Sequence, residues 1–77
     1  MVKKGHYFSD HYHKEREQNV GKELVIDCIH HGRKELESYP NKFKNRKLFN
    51  KGELIVIYLK FDDYFYIITA FWNVRGR

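Results

Sequence analysis

A single cysteine, a single proline and the absence of any long apolar run set the first limits on this chain. Cys28 alone cannot form an intramolecular disulfide, and its place in an apolar stretch marks it as a buried thiol, which fits a reducing, cytoplasmic setting. No apolar segment follows Met1-Val2-Lys3-Lys4, so no secretory leader is expected. The richest apolar stretch is broken by Lys60, Asp62 and Asp63, so no membrane span is expected either. There is no internal repeat, low-complexity tract or linker, which leaves one domain over 1–77 with an ordered core at about 8–72. A glycine-rich phosphate loop is missing, and so is any Ser/His/Asp or Cys/His order fit for nucleophilic catalysis. Neither Cys-x-x-Cys nor His-x-x-x-His occurs. His11-x-His13 would point about 200° apart around a helix, and Cys28 belongs to a core stripe that keeps it from joining His30-His31 in a zinc site. No metal and no cofactor is therefore expected.

What the chain does have is positive charge. Its net charge is +5 with histidines neutral. Between Arg33 and Gly52 stand Arg33, Lys34, Lys42, Lys44, Arg46, Lys47 and Lys51 against Glu35 and Glu37, a surplus equal to that of the whole chain. Such a cluster favours anionic partners, nucleic acid first, although a solvated basic face is the plainer reading of any small basic domain. Aromatic residues make up 17% of the chain, which turns the argument toward RNA, whose unpaired bases stack on rings. Seventy-seven residues support only a small core, with net stability of about 5 kcal/mol, so a stabilising partner or self-association as a homodimer fits the size.

The organising stretch is Glu53 to Trp72, two runs rich in Ile, Val, Tyr and Phe around Asp62-Asp63. β-branched and aromatic residues suit a pleated surface, and the short acidic break reads as a hairpin turn. A two-residue loop puts Phe61 opposite Tyr64, Leu59 opposite Tyr66, Ile57 opposite Ile68 and Ile55 opposite Ala70. Opposed residues share a face. One face then holds Tyr66 and Trp72 and is assigned to the helices. The other holds Tyr58, Lys60 and Thr69 and is the better candidate for function.

Upstream, Met1 to Phe8 reads as a basic entry. Ser9 or Asp10 can cap a helix to about Asn19, docked through Phe8, Tyr12 and Val20. A second helix is expected from Lys22 to His31, with Leu24, Val25, Cys28 and Ile29 as its stripe and Gly32 as a left-handed end. Strands follow at Glu35 to Tyr39 and Asn45 to Phe49, separated by Pro40-Asn41, with Asn50-Lys51-Gly52 turning into the hairpin. The expected fold class is α+β, with two N-terminal helices packed on one face of a four-stranded antiparallel sheet.

Ser9-Asp10-His11 opening a polar helix, Leu24-Val25-x-x-Cys28-Ile29-x-x-Gly32, a basic hairpin and an Ile-rich last strand ending in an aromatic together resemble a widespread family. It is an uncharacterised domain family assigned to the Barnase–EndoU–colicin–RelE group of small nuclease folds. The resemblance covers about Phe8 to Trp72. It implies a curved four-stranded sheet with helices on one side, and metal-independent RNA cleavage, often by the toxin half of a toxin–antitoxin pair. By position the helix-one histidine of the family falls on His11, its helix-ending glycine on Gly32, and a hairpin cation on Arg46 or Lys47. Where family members carry an Arg before helix two this chain has Gln18-Asn19-Val20, and Arg16 is the substitute in the same helix.

Metal-independent cleavage needs a base for the 2′-OH, an acid for the leaving oxygen and cations for the phosphorane. His11, Arg46, Tyr58 and Lys60 are the candidate catalytic set. Arg16, Arg33, Lys44, Lys47, Lys51 and Thr69 are the candidate RNA contacts. The leading expectation is a RelE-like endoribonuclease or translation inhibitor acting on RNA, on or off the ribosome, with an acidic antitoxin protein as partner. The alternatives are a non-catalytic RNA-binding or regulatory module and a protein-interaction subunit.

Overall fold

The computed structural model describes residues 5–17, 19–36 and 40–73. Its elements in order are β1 (Gly5–Phe8), a π-helical turn (Tyr12–Arg16), helix α1 (Lys22–His31), β2 (Arg33–Leu36), β3 (Lys42–Phe49), β4 (Gly52–Lys60) and β5 (Tyr64–Asn73). The strands form one five-stranded sheet in the order β1-β5-β4-β3-β2. Neighbours are antiparallel except β1, which runs parallel to β5. This corrects the expectation of two helices on a four-stranded antiparallel sheet: the described residues form one helix, one helical turn and a mixed sheet of five strands.

The first correction lies at the N-terminal end. Gly5–Phe8 forms a strand instead of an irregular entry, because its alternation sends His6 and Phe8 to one face and Tyr7 to the other, in register with Phe65, Ile67 and Tyr66. The helix expected to run to Asn19 shrinks to a single turn. Among the described residues of its segment Tyr12 is the only wholly buried side chain, which is little apolar surface to hold three turns on the sheet. Ser9 does act as a cap: its Oγ accepts the Tyr12 N–H at 3.1 Å and donates to the Ile68 carbonyl at 2.6 Å. The Glu17 N–H reaches back five residues to the Tyr12 carbonyl, and the Tyr12 hydroxyl donates to the Val20 carbonyl at 2.5 Å, closing the turn.

Helix α1 occupies the residues that its apolar spacing indicates. Val25, Cys28 and Ile29 are buried and Leu24 is partly so. Gly32, however, is not left-handed; its backbone is extended, with φ −84° and ψ 176°. Glycine is needed there for space. A Cβ would fall 2.7 Å from the Arg46 carbonyl oxygen and into contact with that of Cys28.

β2 begins at Arg33, two residues before the expected strand, and residues 37–39 of that strand lie outside the described ones. β3 extends back to Lys42 because Asn41, at φ 67°, completes the preceding turn. Asn50-Lys51 is a two-residue loop between the paired Phe49 and Gly52, and Gly52 has φ 153°, open only to glycine without strain. In the β4–β5 hairpin the Phe61 N–H donates to the Tyr64 carbonyl at 2.9 Å, and Leu59 pairs with Tyr66. A bulge at Ile68 then shifts the register by one, so Ile57 pairs with Thr69 and Ile55 with Phe71.

That bulge changes which side chains share a face. The face under α1 and the helical turn carries Leu54, Val56, Tyr58, Phe65, Ile67 and Ala70, packed with Tyr12, Val20, Val25, Cys28 and Ile29. Trp72 joins this core at its margin, donating its indole N–H to the Asn19 carbonyl at 2.9 Å. Tyr66 is on the opposite face, which no helix among the described residues covers. Up to the bulge the two faces are therefore exchanged relative to the sequence reading, with Tyr58 under the helix and Tyr66 in the open; beyond it Trp72 packs against the core and Thr69 is on the open face, as expected. No helix among the described residues is long and apolar enough to cross a membrane.

Candidate nucleic-acid interface

The uncovered face can be read in rows across the strands. One row runs Lys42–Leu59–Tyr66–Tyr7 and the next Glu35–Lys44–Ile57–Thr69. A third runs Arg33–Arg46–Ile55–Phe71. Cations therefore line the β2–β3 side, aliphatic residues of β4 form the floor, and aromatic rings stand on β5 and β1. With strands about 4.8 Å apart, the Lys42 and Tyr66 backbones are about 10 Å apart across β4. Tyr7 is 59% exposed and Tyr66 36%, so both rings present surface to solvent. Tyr64 meets Tyr7 edge-on with centroids 5.4 Å apart and stacks on Phe61 at 4.8 Å, which fixes the ring positions.

Charge on this face is partly balanced. Glu35 lies 3.8 Å from Lys44 Nζ and 3.1 Å from Arg46 Nε, the latter an ion pair rather than an aligned hydrogen bond. Arg46 Nη1 lies 3.4 Å from Glu53 Oε1, whose other neighbour is Asn73. Beside them a groove at the β3–β4 loop is lined by Arg46, Leu48, Lys51, Glu53 and Asn73.

The residues singled out from sequence do not converge. Arg46 is on the open face, whereas Tyr58 is sealed beneath α1, with its hydroxyl donating to Asn45 Oδ1 at 3.0 Å. Burial, and then the Cys28 thiol beside it, pushes the Tyr58 phenol up to about 12, so it is a neutral structural donor. His11 is exposed beside the helical turn. Lys60 follows Tyr58 on the α1 side, at the far end of β4. Lys47 is also on that side, with Nζ 2.9 Å from both Asp27 oxygens. Lys51 is in the loop, its Nζ 5.2 Å from the Trp72 ring centre. Arg33, Lys44 and Thr69 do share the open face, where Thr69 Oγ1 is buried without a hydrogen-bond partner. The side chain of Arg16 lies outside the described ones. Cys28, pushed up to about 12 by burial and by Asp27, is inert, as its sequence position suggested.

Sequence reasoning missed Tyr66, which it assigned to the core, and with it Tyr7, Lys42 and the supporting Asn45. Tyr7 lay in a segment with no strand pattern long enough to register. Lys42 was counted in the basic cluster but not assigned to a row. Asn45 has no signal at all: it is buried, and its amide donates to the Cys28 and Ile29 carbonyls at 3.0 and 2.9 Å.

No family model, curated protein or solved structure matches the chain.

Proposed function

We propose that the chain binds single-stranded RNA across the uncovered sheet face, in a reducing, cytoplasmic setting, as a binding module rather than a nuclease. The observation that carries this reading is the row Lys42–Leu59–Tyr66–Tyr7, which sets two accessible rings about two and three strand spacings from a cation on one surface. Bases stack on the rings and phosphates meet the β2–β3 cations, a division of labour open to unpaired strands and closed to a duplex whose bases are already stacked. General acid–base chemistry is poorly supplied there. The five histidines lie on β1's inner side, at the helical turn and on α1, away from this face.

The test is fluorescence anisotropy with a labelled single-stranded 12-mer, alongside a gel that reports cleavage. Tyr7→Ala and Tyr66→Ala should each weaken binding about tenfold, within the roughly 1–3 kcal/mol that base–aromatic stacking contributes. The log–log salt slope should be about −2, from about three phosphate contacts at 0.7 each. Unchanged affinity in the Tyr7→Ala, Tyr66→Ala double variant would remove this face from consideration. Cleavage leaving 2′,3′-cyclic phosphate ends would instead restore the nuclease reading.

A further inference from the structure

His6 on β1 and His30 in the last turn of α1 approach with their Nε2 atoms 3.0 Å apart, although 24 residues separate them in sequence. The ring of Phe65 supports both. It stacks on His6 at 5.3 Å between centroids and meets His30 edge-on at 5.6 Å. The two imidazoles are therefore positioned by a shared wall as well as by each other. In the row His6–Phe65–Lys60 that wall also stands between the pair and the Lys60 strand.

From this geometry we propose that His6 and His30 form a two-histidine site for a borderline divalent transition ion, of the zinc, nickel and copper class, with its remaining positions open to water. Two imidazole nitrogens at about 2.0–2.1 Å from a tetrahedral ion lie about 3.3 Å apart. The observed 3.0 Å is within a few tenths of an ångström of that, a change small enough for side-chain rotation alone. Without metal, one Nε2 donates its proton to the other. Binding requires that ring to carry its proton on Nδ1 instead, so the exchange is a tautomer change with no proton released. An all-imidazole pair selects these ions over magnesium and calcium, which prefer oxygen. His30 is exposed, so an ion has a path from solvent. No group of three or more His, Cys, Asp or Glu side chains among the described residues is arranged for a metal, which makes this an open site rather than a closed structural one. A bound ion would clamp the edge strand β1 to α1, two elements joined here only through side chains. The sequence argument against metal weighed His11, His13, His30, His31 and Cys28, and nothing in the spacing pairs His6 with His30.

Titration of the full chain with zinc chloride and, separately, nickel chloride, followed by calorimetry and by histidine ring NMR signals, tests the site. One equivalent should bind per chain, with the ring signals of His6 and His30 moving and magnesium chloride giving no response. His30→Ala changes an exposed helix residue, and with its circular dichroism unchanged it should bind at least tenfold more weakly. His6→Ala should do the same, while His31→Ala and His13→Ala should bind as the parent does. Saturating zinc should also raise the urea midpoint of the parent and leave that of His30→Ala where it was. Absence of binding in the parent, or binding that survives His30→Ala, overturns the proposal.

Discussion

Tyr58 Oη donates to Asn45 Oδ1 at 3.0 Å, and both residues are almost wholly buried. Because Asn45 Nδ2 donates in turn to Cys28 and Ile29, a single amide ties β4 to the C-terminal carbonyls of α1 through β3. Every polar atom in this relay is satisfied, and buried polar relays are costly when broken at one member. Asn45→Ala should therefore destabilise the fold by about 3 kcal/mol, and Tyr58→Phe by about 1–2 kcal/mol, read from urea midpoints. If Tyr58 were a proton donor to substrate, Tyr58→Phe would leave stability unchanged.

Gly32→Ala separates two reasons for a glycine at a helix end. A left-handed position would cost about 1 kcal/mol through backbone strain. The extended backbone found here carries no such strain, but the new methyl meets two backbone carbonyls that cannot rotate away. The expected loss is about 2–3 kcal/mol, the range of overpacked sites. Gly32→Asn brings in a side chain that tolerates left-handed backbone, and it should be no better than Gly32→Ala. Urea unfolding of the two variants decides between the two reasons.

Acid should weaken the fold through Asp27. Its hydrogen bonds from Lys47 hold its carboxyl below the usual value of 3.8. In the unfolded chain the carboxyl therefore takes up a proton at higher pH than in the folded one. The stabilisation is complete above the unfolded value and is lost as pH falls through the lower folded value. Asp27→Asn removes this contribution, so its unfolding midpoint should fall less steeply than the parent's below about pH 4.

On the open face Glu35 pairs with Lys44 and Arg46, and in the proposed RNA complex it would compete with phosphate for them. Glu35→Gln should tighten binding to single-stranded RNA about threefold at low salt, and less at physiological salt, where the screening length is about 8 Å. Anisotropy at two salt concentrations reads both values. Equal or weaker binding would show that these cations do not meet the RNA.

The elements read correctly from sequence are those whose pattern has no rival. The stripe from Leu24 to Ile29 fits a helix and not a strand, and the β-branched runs on either side of Asp62-Asp63 fit strands. What stayed hidden has physical causes. At the bulge Ile67 and Ile68 are identical side chains, with no glycine or proline to mark the slip, so the parity of Thr69 to Trp72 is invisible in the pattern. Both hairpin faces are apolar, so hydrophobicity alone does not say which one α1 covers. What distinguishes the covered face is the Tyr58 hydroxyl on β4, which donates to the Asn45 side chain, a partner no local pattern reveals. β1 has four residues and owes its form to β5, a partner no local window includes. Of the expected site, Arg33, Lys44 and Thr69 reach the candidate interface with Arg46, while its aromatic half, Tyr66 above all, reads from sequence as core.

The parallel pairing of β1 with β5 also orders events in time. Ser9 and Ile68, joined beside it, are 59 residues apart, whereas the β3–β4 and β4–β5 strands meet across short loops. Closing a long loop costs entropy before any contact rewards it, so β1 should dock after the meander has passed its folding barrier. Stopped-flow chevrons of Ser9→Ala and Phe8→Ala should then show faster unfolding with almost unchanged refolding. The persistence of the native state, once formed, would be set by a four-residue strand at the sheet's edge.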